Sequence, residues 1–308
     1  MKMEGEDILL IGGGGFVGTA LARRLIGAGR RVHRLQRSAT PSLGELDRVY
    51  SGSAADRALL DKILTTCRCV VHLASSTTPG DSVMQPVREG EENLLPTLTL
   101  LEALREVPGT HLIFFSSGGT VYGNPAVSPV DEAAALAPLS FHGAGKLASE
   151  AFLRAFQHLS GQDVTILRPS NLYGPDQPLK RGFGLLRTML EHARRGSCME
   201  IWGDGENVRD YLYIDDMVEA CCHAMQIAGG MQLFNVGSGA GYSVNMLRPV
   251  VERITGRPLD VVMRPARSVD VRSIVLDSSR FRQASSWKPG MPLEPGIRQT
   301  WEWLISRS

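Results

Sequence analysis

Residues 8–18 read Ile-Leu-Leu-Ile-Gly-Gly-Gly-Gly-Phe-Val-Gly, and this run decides the fold. Four apolar residues make a short buried strand. A helical pattern follows over 16–28, with Val17, Leu21 and Leu25 at spacings of four. Between them Gly12, Gly15 and Gly18 form G-x-x-G-x-x-G. The first glycine permits a tight turn, the second lets the backbone close on a pyrophosphate, and the third lets helix pack against strand. The phosphate charge would face the unsatisfied N–H groups where the helix opens, around Phe16 and Val17. Glycines at 12–15 would otherwise cost chain entropy with nothing packed in return. Strand, turn and helix in this order predict a dinucleotide site.

Outward from that turn the same rhythm repeats to about residue 160. Short apolar strands are expected at 31–35, 69–73, 111–115 and 164–167, separated by helical patterns at 94–107 and 144–159. Continuous apolar strands alternating with helices read as parallel βαβ units covered on both faces, a doubly wound Rossmann-type α/β sheet. Two proline- and glycine-rich clusters, at 169–178 and 202–211, then break the rhythm. A helix is expected at 217–228 and a further parallel-type strand at 233–236. We therefore expect a dinucleotide-binding domain over 1–170. A smaller α/β substrate lobe should cover 171–308, with segments that partly return to the first sheet.

Composition narrows the function. The 308 residues carry 33 basic and 32 acidic side chains, a net charge of +1, which argues against a nucleic-acid partner. Hydrophobic residues make up 43% and charged residues 21%, ordinary for a globular chain. The 5 cysteines give no C-x-x-C pair and no zinc spacing, so no metal and no disulfide framework are expected. The start of the chain is acidic where a signal peptide would be basic, and its apolar run is too short to span a bilayer. The expectation is a reduced, cytoplasmic protein with no membrane partner.

The second strand ends Leu35-Gln36-Arg37-Ser38, without the carboxylate that usually bonds the adenosine ribose of NAD. Gln36 can still bond a hydroxyl, while Arg37, or Arg34, could pair with a 2′-phosphate. The cofactor is NAD or NADP on this reading, with a lean to NADP.

Seven stretches, taken in order, resemble one family: IGGGGFVG (11–18), VVHLAS (70–75), FFSSGGTVYG (114–123), LRPSNLYGP (167–175), WGDGENVRDYLYIDD (202–216), FNVGSG (234–239) and WKP (287–289). They resemble the extended short-chain dehydrogenases/reductases, in the nucleotide-sugar epimerase/dehydratase branch that includes the UDP-glucose 4-epimerases, and they run from end to end of the chain. The resemblance implies a nucleoside-diphosphate sugar in the second lobe. It implies cofactor contacts from Asp56, His72, Leu73, Ala74, Ser75, Asn93 and Lys146, and substrate contacts from Asn171, Arg209 and Arg267. Guanidinium forks suit a diphosphate. The competing reading pairs Arg209 with Asp210, Asp215 or Asp216, and Arg267 with Asp270. By the same analogy the protein is a homodimer built on the helices at 94–107 and 144–159.

In this family a tyrosine deprotonates a sugar hydroxyl as the carbon gives hydride to the nicotinamide. A lysine four residues on favours the phenolate, and a serine or threonine orients the oxygen. Lys146 matches the lysine. His142 occupies the tyrosine position and Gly118 the hydroxyl position. Three readings follow. His142 is the base, kept neutral beside Lys146; or the role has moved to Tyr122, Ser117 or Thr120; or the chain binds its ligands and turns over little. The place of a dehydratase's acid pair reads Gly118-Gly119, which disfavours dehydration. Asp131 and Glu132 read as a solvated loop. The expected function is therefore 4-epimerisation of a UDP- or dTDP-hexose through a transient 4-keto intermediate. A weakly active binding protein and an NAD(P)H-dependent reductase are the alternatives.

Overall fold

The computed structural model describes residues 7–78, 80, 84–180, 182–227 and 229–307. Six strands come before residue 170: β1 (Asp7–Ile11), β2 (Val32–Gln36), β3 (Asp47–Ser51), β4 (Cys67–His72), β5 (His111–Phe115) and β6 (Val164–Pro169). The rest of the chain adds β7 (Asn171–Tyr173), β8 (Met199–Trp202), β9 (Val208–Tyr213), β10 (Met231–Val236), β11 (Gly241–Tyr242), β12 (Val261–Arg264) and β13 (Ser273–Ile274). The main sheet has seven strands in the order β10-β6-β5-β4-β1-β2-β3, all parallel. Ile8 lies opposite Val32 on one side and Cys69 on the other.

The order reverses beside β1: the chain goes to β2 and β3 on one side, then crosses to β4, β5 and β6 on the other. That reversal opens a crevice at the carboxyl ends of β1 and β4, the place where such sheets bind ligands. The inner strands β1, β4 and β5 are largely apolar and buried because helices cover both faces of the sheet. Helices α1 (Phe16–Gly27), α2 (Arg57–Leu64), α3 (Pro86–Glu89), α4 (Leu95–Leu104), α5 (Gly118–Val121) and α6 (Phe141–Ser160) belong to this part. A π-helical turn, Gly90–Leu94, joins α3 to α4. Beyond them lie α7 (Leu185–Arg195), α8 (Ile214–Ala224), α9 (Val244–Thr255), α10 (Ser279–Ser285) and α11 (Leu293–Ser306).

Strand β10 pairs with β6 in the main sheet, so the chain beyond residue 170 does return to the first sheet. One core cluster runs from Leu10 and Leu25 through Met217 and Leu247 to Trp301. The smaller lobe is built on β9, flanked by β7, β11 and β13, with β8 and β12 as a separate parallel pair. Several element bounds differ from expectation. The 94–107 helix is α4 preceded by the π-helical turn, and it ends at Leu104. Helix α6 starts at Phe141 because Ser140 caps it, accepting from the Gly143 N–H at 3.2 Å. Helix α8 starts at Ile214 and ends at Ala224; residue 228, the expected end, lies outside the described residues. No helix among the described residues is long and apolar enough to cross a membrane.

Candidate active site

The glycine turn sits at the crevice. Gly12 has φ +86°, and a Cβ there would lie 2.8 Å from the Ala74 nitrogen, so only glycine lets β1 and β4 converge. A side chain on Gly18 would run into the Gly12 carbonyl, which is the close helix–strand packing anticipated for the third glycine. Gly15 precedes α1, whose N-terminus has no side-chain cap and no acidic residue in its first turn. Phe16 and Val17 open that helix with their backbone N–H groups outside the helical ladder. Leu73 continues β4 by donating to the Ile11 carbonyl at 2.8 Å.

At the end of β2, Gln36 is buried. Its Nε2 donates to Thr40 Oγ1 at 2.6 Å, while its Oε1 has no partner among the described residues. An anion-ready helix end, a bare glycine backbone and an orphaned buried oxygen together fit a dinucleotide. Arg34 is not available to a 2′-phosphate, which corrects that expectation: its guanidinium is buried against both oxygens of Asp47, and it also donates to Thr40 and the Pro41 carbonyl. Arg37 is largely exposed and lies 4.0 Å from Glu92. Asp56 caps α2, accepting from the Leu59 N–H at 3.1 Å.

The loop after β4 is pinned by Asn93, whose Oδ1 accepts from the Ser76 N–H at 2.8 Å and whose Nδ2 donates to Thr77 Oγ1 at 2.9 Å. Ser75 Oγ bonds the Thr77 carbonyl at 3.4 Å. Thr77 Oγ1 also bonds Glu89 Oε2 and lies 3.1 Å from Nδ1 of His142. Glu89 is buried, and its Oε1 has no partner among the described residues. His72 bonds Thr97 Oγ1 through Nε2 at 3.2 Å and packs edge-on to Phe114.

His142 and Lys146 lie one turn apart on α6, and both are buried. Lys146 stands in the second turn of α6, and burial is what marks it. Its Nζ donates to the Phe115 carbonyl at 2.7 Å and stands 4.9 Å over the Phe114 ring. Burial pulls its pKa down to about 8, against the pull of Glu89 and Glu150. Burial, then the charges of Lys146 and Lys180, bring His142 down to about 3. The imidazole is therefore neutral across the physiological range.

The other proposed oxygens are placed differently. Tyr122 is fully buried; its hydroxyl donates to Asn235 at 2.7 Å and accepts from Arg168 at 2.8 Å, and burial raises its pKa. That surrounding corrects its candidacy as a base. The Thr120 hydroxyl is buried and has no partner among the described residues. Ser117, half-buried, stands just before α5. A side chain on Gly118 would strike Leu276. Glu132 does not belong to a solvated loop: its carboxylate accepts from the Asn235 N–H at 2.7 Å. No metal-binding group of His, Cys, Asp or Glu occurs among the described residues.

Across the crevice, Gly119, Ser170, Asn171, Asp210, Ile274 and Leu276 line a small recess. Arg209 makes none of the expected pairs with Asp210, Asp215 or Asp216. It donates to the Val208 carbonyl at 2.9 Å, and burial lowers its pKa. Arg267 does pair with Asp270, at 2.9 and 2.8 Å, and stacks on Trp202 at 5.3 Å. Thr77 and Glu89 were not singled out in the sequence. The readable signal was Glu89 four positions before Asn93, on one helical stretch.

Residues 8–237 match the profile of the NAD dependent epimerase/dehydratase family. The chain belongs to that family. It is accordingly an enzyme. It is 32% identical to UDP-glucose 4-epimerase of Mycolicibacterium smegmatis, over 97% of this chain and 99% of that protein. Among solved structures it resembles UDP-glucose 4-epimerase of Thermotoga maritima with UDP-glucose: TM-score 0.93, 33% identity, 98% of this chain and 99% of that one. It also resembles the Thermus thermophilus UDP-glucose 4-epimerase complexed with NAD: TM-score 0.91, 28% identity, 98% and 100%.

Proposed function

We propose that the chain interconverts the 4-epimers of a UDP-hexose by transient oxidation at C4, with NAD as its resident cofactor and His142 in the place of the family's tyrosine. The observation that carries this reading is His142 itself: buried, held on Thr77, and one helical turn from a buried Lys146. Gly118 stands where the family has a hydroxyl, and Leu276 fills the space such a side chain would need.

NAD, when bound, supplies the acceptor and later the donor of a hydride. The Gly12–Gly15 backbone, the start of α1 and Gln36 would hold it. The group without a partner at the end of β2 is an acceptor oxygen, which suits a ribose hydroxyl and would repel a phosphate. This favours NAD over the NADP suggested by the missing carboxylate. Lys146, its ammonium tied to the Phe115 carbonyl, is suited to orient ribose hydroxyls and to keep His142 neutral. His142 takes the proton of the sugar 4-hydroxyl and returns it to the same oxygen after the ketone has turned over. Arg209, which pairs with no carboxylate among the described residues, and Arg267 are suited to the diphosphate, with Asn171 at the recess beside them. The Ser117 and Thr120 hydroxyls border the same region and would orient the sugar oxygen. Exposed Leu95 on α4 and Phe152 and Leu159 on α6 support a homodimer across these helices.

A proton NMR time course with UDP-glucose, UDP-N-acetylglucosamine and their uronic acids, each with NAD or NADP, tests the reading. The expected result is a 4-epimer formed with NAD, and a rate about 100-fold lower or less in His142→Ala. Epimerisation that survives this substitution unchanged would overturn it.

A further inference from the structure

Resting on Lys146 as the lysine that holds the cofactor ribose, we propose that Glu89 is its counter-ion, a positioning residue that keeps the buried ammonium charged. An ammonium taken out of water needs a negative charge close by, or it gives up its proton. Lys146 is only 5% exposed, and the group that accepts from its Nζ, the Phe115 carbonyl, is neutral. The Phe114 ring beneath it adds attraction but no charge. The negative charge must therefore come from elsewhere around the site.

Four titratable groups act with Lys146, from three elements. His72 on β4 and His142 on α6 both feel its charge, and both rings are neutral at pH 7. Glu89 on α3 and Glu150, one turn on along α6, are the carboxylates that favour the ammonium among the described residues, Glu89 the more strongly. Glu150 is already matched. Arg168 on β6 holds both its oxygens, at 2.9 and 2.6 Å, and Ser116 donates to one of them.

Glu89 is held by neutral groups instead. Thr77 donates to its Oε2, and Asn93 in turn donates to Thr77 at 2.9 Å. Its Oε1 is buried with no hydrogen-bond partner among the described residues, a state that costs free energy unless the charge serves something. Its place points to Lys146. A Cβ at Gly145 would collide with Oε1, so the bare backbone just before Lys146 is what lets the carboxylate lie against α6. The π-helical turn Gly90–Leu94 follows Glu89 directly, and such turns recur at functional sites. With Glu89 the ammonium can meet a ribose hydroxyl as a charged donor; without it, burial leaves a neutral amine.

The test is a pH titration of the full chain with 13C-labelled lysine, followed by NMR. The chain has five lysines, and the Lys146 signal is identified by its loss in Lys146→Met. Glu89→Gln keeps the shape and removes the charge, so the Lys146 midpoint should move down by about one pH unit or more. Gly145→Ala, which displaces the carboxylate, should move it the same way. Glu91→Gln, an exposed neighbour on the same stretch, should leave it in place. Calorimetry supplies the second readout. Above both midpoints, Glu89→Gln should bind NAD about tenfold more weakly for each unit of that shift, and it should bind like the wild type below its new midpoint. A loss of NAD affinity equal at every pH, or an unmoved Lys146 midpoint in both Glu89→Gln and Gly145→Ala, would overturn the proposal. Unchanged NAD affinity in Lys146→Met would instead overturn the reading of Lys146 as a cofactor residue, whatever its midpoint.

Discussion

Leu276 decides what residue 118 can be. A Cβ at Gly118 would fall on the Leu276 side chain and 3.0 Å from the Arg168 carbonyl, so the position is closed to any side chain by packing. Gly118→Ser should therefore destabilise the fold by about 1–3 kcal/mol. Leu276→Ala should destabilise it by about 2–5 kcal/mol through its cavity. Together they should cost clearly less than the sum, because the new serine occupies the space the leucine leaves. Urea melts of the two single variants and the double variant measure this coupling; strict additivity would mean that the two side chains do not compete. At Arg209 the prediction concerns binding. Arg209→Ala should raise the KM for the sugar nucleotide at least about tenfold and leave NAD affinity unchanged, since this guanidinium holds no carboxylate among the described residues. Titration calorimetry with UDP and with NAD separates the two effects.

What could be read in the sequence differs from element to element. The glycine turn was legible because each glycine answers to a steric demand of the fold: the Ala74 backbone at Gly12, the Gly12 carbonyl at Gly18. Strands β1, β4 and β5 were legible as continuous apolar runs. Strand β3, Asp47–Ser51, was not. It is the sheet edge, its residues are mostly polar, and Asp47 is buried only because Arg34 reaches it from β2. Helix α2 was missed because its eight residues show no long period. The pair of Thr77 and Glu89 was hidden for a related reason: it joins a loop to a distorted helix, and no local period marks such a contact. At this scale the proposed dimer is testable. Phe152 and Leu159 lie two turns apart on α6 and expose 47% and 84% of their surface, apolar area that a second copy would cover. Phe152→Glu should convert a dimer to monomer in sedimentation velocity; a wild-type monomer would refute the interface.

Across the whole molecule the two halves share one core, and a buried polar network binds them as well. Glu150 on α6 holds Arg168 on β6 at 2.9 and 2.6 Å, Arg168 holds Tyr122, and Tyr122 reaches Asn235 on β10. Unfolding should therefore be a single transition, and its midpoint should depend on pH in a defined direction. His72 and His142 are each held at about 3, chiefly by burial and then by the Lys146 charge, with Lys180 adding at His142. In the unfolded chain both rings return to about 6.5. Below pH 6.5 the unfolded state binds protons that the folded state refuses, so stability is lost as pH falls toward 3 and is fully present above 6.5. Each ring contributes a slope of up to about 1.4 kcal/mol per pH unit. His111, also lowered by burial, adds in the same sense. Between pH 6 and 5 the histidines of the unfolded chain titrate, while the buried carboxyls of Asp210 and Asp215, raised by burial, act in the opposite sense. Urea melts across this window should show stability falling by about 2–3 kcal/mol per unit. His142→Asn should remove close to half of that slope, and an unchanged slope would mean that the ring takes up its proton without leaving the fold.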